Sequence, residues 1–161
     1  MRLSEFLTKT YIPSRIDLTD DSIYQYQLTI RQFNAFADSP RMSEITDEMV
    51  CGWMRDCLAG GTASATVNVR RTRLLTLLNC AYRKRLISDP PRDVPRCRES
   101  RKVPQAWTAD EMTRLVTHAG TLAGAVGELP AAWYWQSMIL VCYETSLRVG
   151  AVRSLEVEDF H

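Results

Sequence analysis

Apolar residues recur along this chain at spacings of three and four, and no stretch keeps the two-residue alternation of a half-buried strand. The pattern predicts helices nearly throughout. The first clear helix runs from Asp20 to Ala37, with Thr19 as N-cap, Asp20 and Asp21 in the first turn, and Ile23, Tyr26, Ile30, Phe33 and Phe36 or Ala37 as the buried stripe. Asp38-Ser39-Pro40 ends it. A second helix is expected from Asp47 to about Leu58, capped by Thr46 and stopped by Gly60-Gly61. A third starts at Ser64 and reaches about Leu86, where Asp89-Pro90-Pro91 bars any continuation.

Beyond Ser88 the periodicity is lost. Four prolines (90, 91, 95, 104) and a run of basic residues leave little to bury, so residues 89–105 read as a tether. Thr108-Ala-Asp-Glu111 has the Thr–Glu spacing of a capping box and opens a helix to about His118. Gly120, Gly124, Gly127 and Pro130 mark a loop, Ala131–Glu144 is a strongly apolar helix, and a short helix from Arg148 to Leu155 follows the Thr145-Ser146 turn. The expected architecture is all-α: a helical bundle at 1–88, a basic tether at 89–105, and the helical start of a second domain at 106–161.

With 161 residues and 45% hydrophobic content, the chain can fold as one ordinary domain, or as one small domain plus part of another. The N-terminus lacks the apolar core of a signal peptide, and no run approaches the roughly 18 apolar residues of a membrane span. Five cysteines, odd in number and without C-x-x-C spacing, are expected as reduced thiols of a cytosolic protein, with neither metal nor cofactor.

Charge changes the picture more. The net +1 conceals a segregation: residues 70–102 hold eleven basic and three acidic side chains, +8, and the rest of the chain carries −7. Such asymmetry points to a polyanionic partner. Wound at roughly 100° per residue, the helix from Ser64 puts Val67, Leu74, Leu75, Leu77, Leu78, Ala81 and Tyr82 on a core-facing side. Opposite lie Asn68, Thr72, Arg73, Thr76, Asn79, Arg83 and Lys84, with Arg70 and Arg71 flanking the apolar stripe. This polar face has no carboxylate. Amides, hydroxyls and guanidinium groups are what hydrogen-bond phosphate oxygens and base edges, whereas a generic exposed helix mixes Glu with Lys. Arg101 and Lys102 in the tether extend the candidate DNA-contacting set.

The order of these elements, together with Ala81-Tyr-Arg-Lys-Arg-Leu-Ile-Ser-Asp-Pro90, Pro104-Gln-Ala-Trp-Thr-Ala-Asp-Glu111 and Glu144-Thr-Ser-Leu-Arg148, resembles the tyrosine recombinase (phage integrase, Xer-like) family. The resemblance implies a SAM-like core-binding bundle joined to the beginning of a catalytic domain, the two clasping double-stranded DNA. Arg148 matches the first catalytic arginine, whose planar guanidinium addresses two non-bridging oxygens of the scissile phosphate. The resemblance further implies a phosphotyrosine intermediate in the parent enzyme without metal or cofactor, tetrameric assembly on DNA, and a cytoplasmic, nucleoid-associated location. Three positions depart from the family pattern: Ser146 stands for glycine, Ala151 for an acid and Val157 for tryptophan. The family's lysine hairpin, H-x-x-R pair and nucleophilic tyrosine belong after the first arginine, so these residues are expected to bind DNA without cutting it, as a fragment of a larger recombinase. The alternatives are a catalytically inactive DNA-binding accessory protein and a helical protein-interaction module.

Overall fold

The computed structural model describes residues 1–99 and 106–159. About 65% of the described residues are helical and they hold one two-stranded hairpin, so the class is all-α. Two compact units, Met1–Arg101 and Lys102–His161, divide it. Among the described residues no helix is long and apolar enough to cross a membrane.

The first unit opens with a helix that no side-chain cap announces. Leu3–Phe6 (α1) continues as a π-helical turn at Leu7–Tyr11 and a 3-10 turn at Ile12–Ser14. It forms because Leu3, Phe6, Leu7 and Tyr11 follow the i, i+3, i+4, i+8 spacing of one helical face, and all four are buried. Helix α2 (Asp20–Ala37) starts where Thr19 Oγ1 accepts the Ser22 N–H, and α3 (Asp47–Ala59) where Thr46 Oγ1 accepts the Met49 N–H. Each cap satisfies an amide that has no partner within its helix. Helix α4 spans Ser64–Arg83. It ends in a Schellman turn in which the Arg85 N–H donates to the Tyr82 carbonyl (2.8 Å) and Leu86 N–H to Ala81 carbonyl (3.0 Å), with Arg85 held at φ 59°.

The core of this unit gathers all four helices. Phe33 of α2 and Trp53 of α3 meet edge-on at 5.3 Å, and Val67, Leu74, Leu77, Leu78 and Ala81 of α4 close over them. The expected stripes hold at their centres and fail at their edges: Phe36 and Tyr82 are exposed, and Ile23 and Leu75 are half-buried. The Phe36 ring instead lies against α3 at Gly52, where an added Cβ would stand 3.3 Å from it.

The residues expected to form a tether differ most from expectation. Their described part, 89–99, is an irregular strap on the first unit. Pro90, Pro91 and Val94 are buried, and Cys97 packs against the core. Proline rings are apolar, and without N–H donors they can cover a core and leave fewer backbone groups to satisfy. The Asp93 N–H donates to Asp47 Oδ1 (2.9 Å), tying the strap to the start of α3.

The second unit begins with α5 (Ala109–Ala119), opened by the expected capping box: Thr108 N–H to Glu111 Oε2 at 2.8 Å, and Glu111 N–H to Thr108 Oγ1 at 3.3 Å. The expected glycine loop contains a small hairpin, β1 (Ala125–Val126) and β2 (Leu129–Pro130), registered Ala125 to Pro130 and Val126 to Leu129. Gly127, at φ 62°, supplies the first corner of its two-residue turn. Helix α6 (Ala131–Thr145) packs on α5 where the Gln136 amide donates to the Val116 carbonyl (3.1 Å). A Cβ at Gly120 would stand 2.5 Å from that amide nitrogen, so a larger residue there would displace the end of the Gln136 side chain. Helix α7 (Val149–Arg153) follows.

Candidate functional site

Helix α4 carries most of the candidate contacts, and the structure divides them in two. Its N-terminal half lies under the strap. Asn68, expected on the exposed polar face, is 1% exposed and grips the backbone of Cys97 at both ends. Its Nδ2 donates to the Cys97 carbonyl (2.9 Å) and to Glu99 Oε1 (2.6 Å), and its Oδ1 accepts the Cys97 N–H (2.8 Å). An irregular segment on a core needs partners for its own amides and carbonyls, and one carboxamide supplies both a donor and an acceptor. Arg71, half-buried, donates Nε to the Val94 carbonyl (2.9 Å). Both side chains are removed from the solvent-facing set. Arg70 is half-buried beside Cys57, whose thiol burial pushes up while the guanidinium opposes the shift.

The C-terminal half of α4 keeps its face open. Thr72 and Thr76 point their hydroxyl protons back to the carbonyls of Asn68 (2.9 Å) and Thr72 (2.8 Å), leaving oxygen lone pairs outward. Asn79, Arg83 and Lys84 are exposed, as is Arg85 in the turn beyond. None of the four makes a side-chain hydrogen bond or ion pair among the described residues. Around the turn an open groove of about 560 Å³ is lined by Tyr82, Arg83, Arg85, Leu86, Ile87 and Ser88. The strap adds Arg92, over the Tyr82 ring at 5.5 Å and 3.6 Å from Asp89, Arg96, 3.7 Å from Glu99, and Arg98. Both ion pairs are exposed and add little stability, but Asp89, Asp93 and Glu99 equal the strap's arginines in number, so the uncompensated positive charge lies on α4 and the turn beyond it. Arg101 and Lys102 lie outside the described residues.

Arg73 leads to a group that the sequence pattern concealed. Its guanidinium donates to Gln25 Oε1 of α2 (3.1 Å). One residue along α2, the Tyr26 hydroxyl meets the Tyr11 hydroxyl at 3.0 Å, and Arg15 lies over the Tyr11 ring at 5.3 Å. Burial, then the hydrogen bond with Tyr11, raises the Tyr26 phenol to about 12, against the opposing influence of Arg15 and Arg73. The spacing of Leu3, Phe6, Leu7 and Tyr11 was the signal that could have placed Tyr11 and Arg15 beside α2.

Arg148 occupies the N-cap position of α7, exposed, its carbonyl accepting the amides of Ala151 (2.8 Å) and Val152 (3.0 Å). The guanidinium makes no hydrogen bond or ion pair among the described residues. Two residues earlier Ser146 sits at φ 55°, a left-handed conformation that favours glycine. The described residues offer no cluster of three or more His, Cys, Asp or Glu able to hold a metal, and all five cysteines are free thiols.

Comparisons with protein-family models, with curated proteins and with solved structures return no match.

Proposed function

We propose that the first unit is a DNA-binding bundle of the SAM-like, core-binding kind, and that the chain is the DNA-binding portion of a tyrosine recombinase. One observation carries it: the open half of α4 and the turn beyond it present Thr76, Asn79, Arg83, Lys84 and Arg85 with no acid among them. Uncompensated guanidinium and ammonium groups interleaved with hydroxyls and an amide suit a phosphate backbone and, in a groove, base edges. Contacts to roughly five phosphates make log K fall with log[salt] at a slope near −4.5. Fluorescence anisotropy with a labelled duplex across a salt series measures that slope, and a flat response removes DNA as the partner.

The recombinase assignment rests on the order of elements and on Arg148. Ser146 adds support, since its positive φ gives a physical reason for the glycine that the family places there. Arg148 would serve as one arm of a phosphate clamp, but the acid expected three residues on is Ala151, so nothing at that position orients it. On this reading the residues present contribute a DNA-binding surface and one electrophilic guanidinium.

A second reading, a helical protein-interaction module, is favoured by the exposed aromatics of α6. Reversing the charge of Arg73 and Arg83 together decides between the two: DNA affinity left unchanged selects the interaction module.

A further inference from the structure

The cluster around Arg15 and Arg73 has the makings of an anion site. Each guanidinium is held in place by a neutral group, Arg73 by the Gln25 amide oxygen and Arg15 by the Tyr11 ring. Structural arginines are ordinarily oriented by carboxylates, which also cancel their charge. Here orientation comes without neutralisation: neither arginine takes part in an ion pair among the described residues, whose three pairs lie elsewhere. A guanidinium has five N–H donors, and Arg73 spends one on Gln25. The hydroxyl pair contributes as well. The Tyr11 and Tyr26 hydroxyls meet at 3.0 Å, and because Tyr11 is buried and Tyr26 half-buried, the Tyr26 oxygen is the one of the pair nearer solvent. The high phenol value keeps the Tyr26 hydroxyl protonated at neutral pH.

We propose that Arg15, Arg73 and the Tyr26 hydroxyl form a preorganised site for one phosphate of the nucleic-acid backbone, supported from behind by Tyr11 and Gln25. Set beside Thr76 and the open half of α4, a phosphate gripped there fixes how that helix lies along a duplex, the positioning role that backbone contacts play. The proposal rests on the DNA-binding reading for its ligand, though not for its geometry.

Two arms separate the failures. In the first, inorganic phosphate is titrated into the full chain while the guanidinium NMR signals of Arg15, Arg73 and Arg31 are followed, Arg31 lying on the far side of α2 by helical phase. The expected result is a saturable shift at Arg15 and Arg73, weakened several-fold in Tyr26→Phe. Equal, unsaturated drift of all three overturns the site. In the second, the salt slope for a random-sequence duplex is compared between the native chain and Arg15→Ala/Arg73→Ala, with Arg31→Ala as control. The slope should become shallower by about 0.9 for the phosphate lost, with the control unchanged. Duplex binding at an unaltered slope overturns this site and leaves the DNA-binding reading standing. Saturable phosphate binding without any duplex binding overturns that reading and leaves the anion site, and with it the stated geometry, standing.

Discussion

In the first unit Trp53 is 1% exposed and meets Phe33 edge-on, at the centre of a core drawn from four helices and the strap. In the second, Trp133 is 68% exposed, and the only fully buried residues described are Ala119 and Ala131. Yet the local signals are equally good in both: Thr19, Thr46 and Thr108 all cap helices that start where expected. Helix α6 is apolar on every side, the composition of a helix buried all round. Trp133, Trp135 and Tyr143, at 68, 43 and 54% exposure, leave on the order of 300 Å² of aromatic surface in water. Capping and periodicity thus specify helices, while burial specifies a domain, and only the first unit has both.

Truncating the two tryptophans tests this most severely. Trp53→Ala should cost about 3–5 kcal/mol, read as a fall in the urea midpoint. Trp133→Ala should change stability by less than about 0.5 kcal/mol. It should instead reduce binding of a hydrophobic dye and weaken the self-association expected of so exposed an aromatic, with sedimentation as the measurement. Equal destabilisation by the two changes breaks the comparison.

The strap gives the next effect. Asn68→Ala leaves the Cys97 N–H and carbonyl without their partner, at about 1–3 kcal/mol for each buried group that water cannot reach. Limited trypsin digestion should then cut after Arg92, Arg96 or Arg98 before α4 is attacked. An unchanged midpoint and cleavage pattern would mean that the strap is held by Pro90, Pro91 and Val94 alone.

Smaller gains are expected where the backbone is strained. Arg85→Gly and Ser146→Gly each relieve a left-handed residue, by about 1 kcal/mol. In the first unit the gain raises the cooperative unfolding midpoint. In the second, with little core to couple it to, it slows amide exchange only at the end of α6. A global rise from Ser146→Gly would show the second unit to be more cooperative than its burial implies.

What the sequence made legible follows the same division. Helix starts were readable because a threonine before an acidic turn acts on its own neighbours. The opening helix is hard to read although Leu3, Phe6, Leu7 and Tyr11 spell out its face, because no side-chain cap announces it. The strap reads as a tether because prolines and arginines have the composition of one; that Pro90, Pro91 and Val94 bury depends on an uncovered flank elsewhere in the bundle. Asn68 shows the same limit at the candidate site. An amide on the polar side of a helix has the same chemistry whether it faces a groove or an overlying strand of chain, and only the fold decides which. The sequence pattern puts Arg148 at the head of a short helix, and it stands at the N-cap of α7, one residue before the helix proper.

The smallest effect concerns pH. The Thr108 backbone amide, and then its hydroxyl, hold the Glu111 carboxyl below the usual carboxylate range. A group with a lowered folded value contributes stability above its unfolded value and loses it as pH falls through the folded one. The start of α5 should therefore fray in acid, below the ordinary range for glutamate. Glu48 at the start of α3 is lowered by comparable bonds, its own backbone amide first and then Thr46, but α3 is also anchored through Val50, Trp53 and Met54. Amide exchange across an acid series should show protection lost in the first turn of α5 while the first turn of α3 persists. Glu111→Gln, which can still accept from Thr108 without titrating, should abolish the pH dependence in α5. Fraying of both helices together would mean that the core of the first unit does not reach as far as α3's first turn.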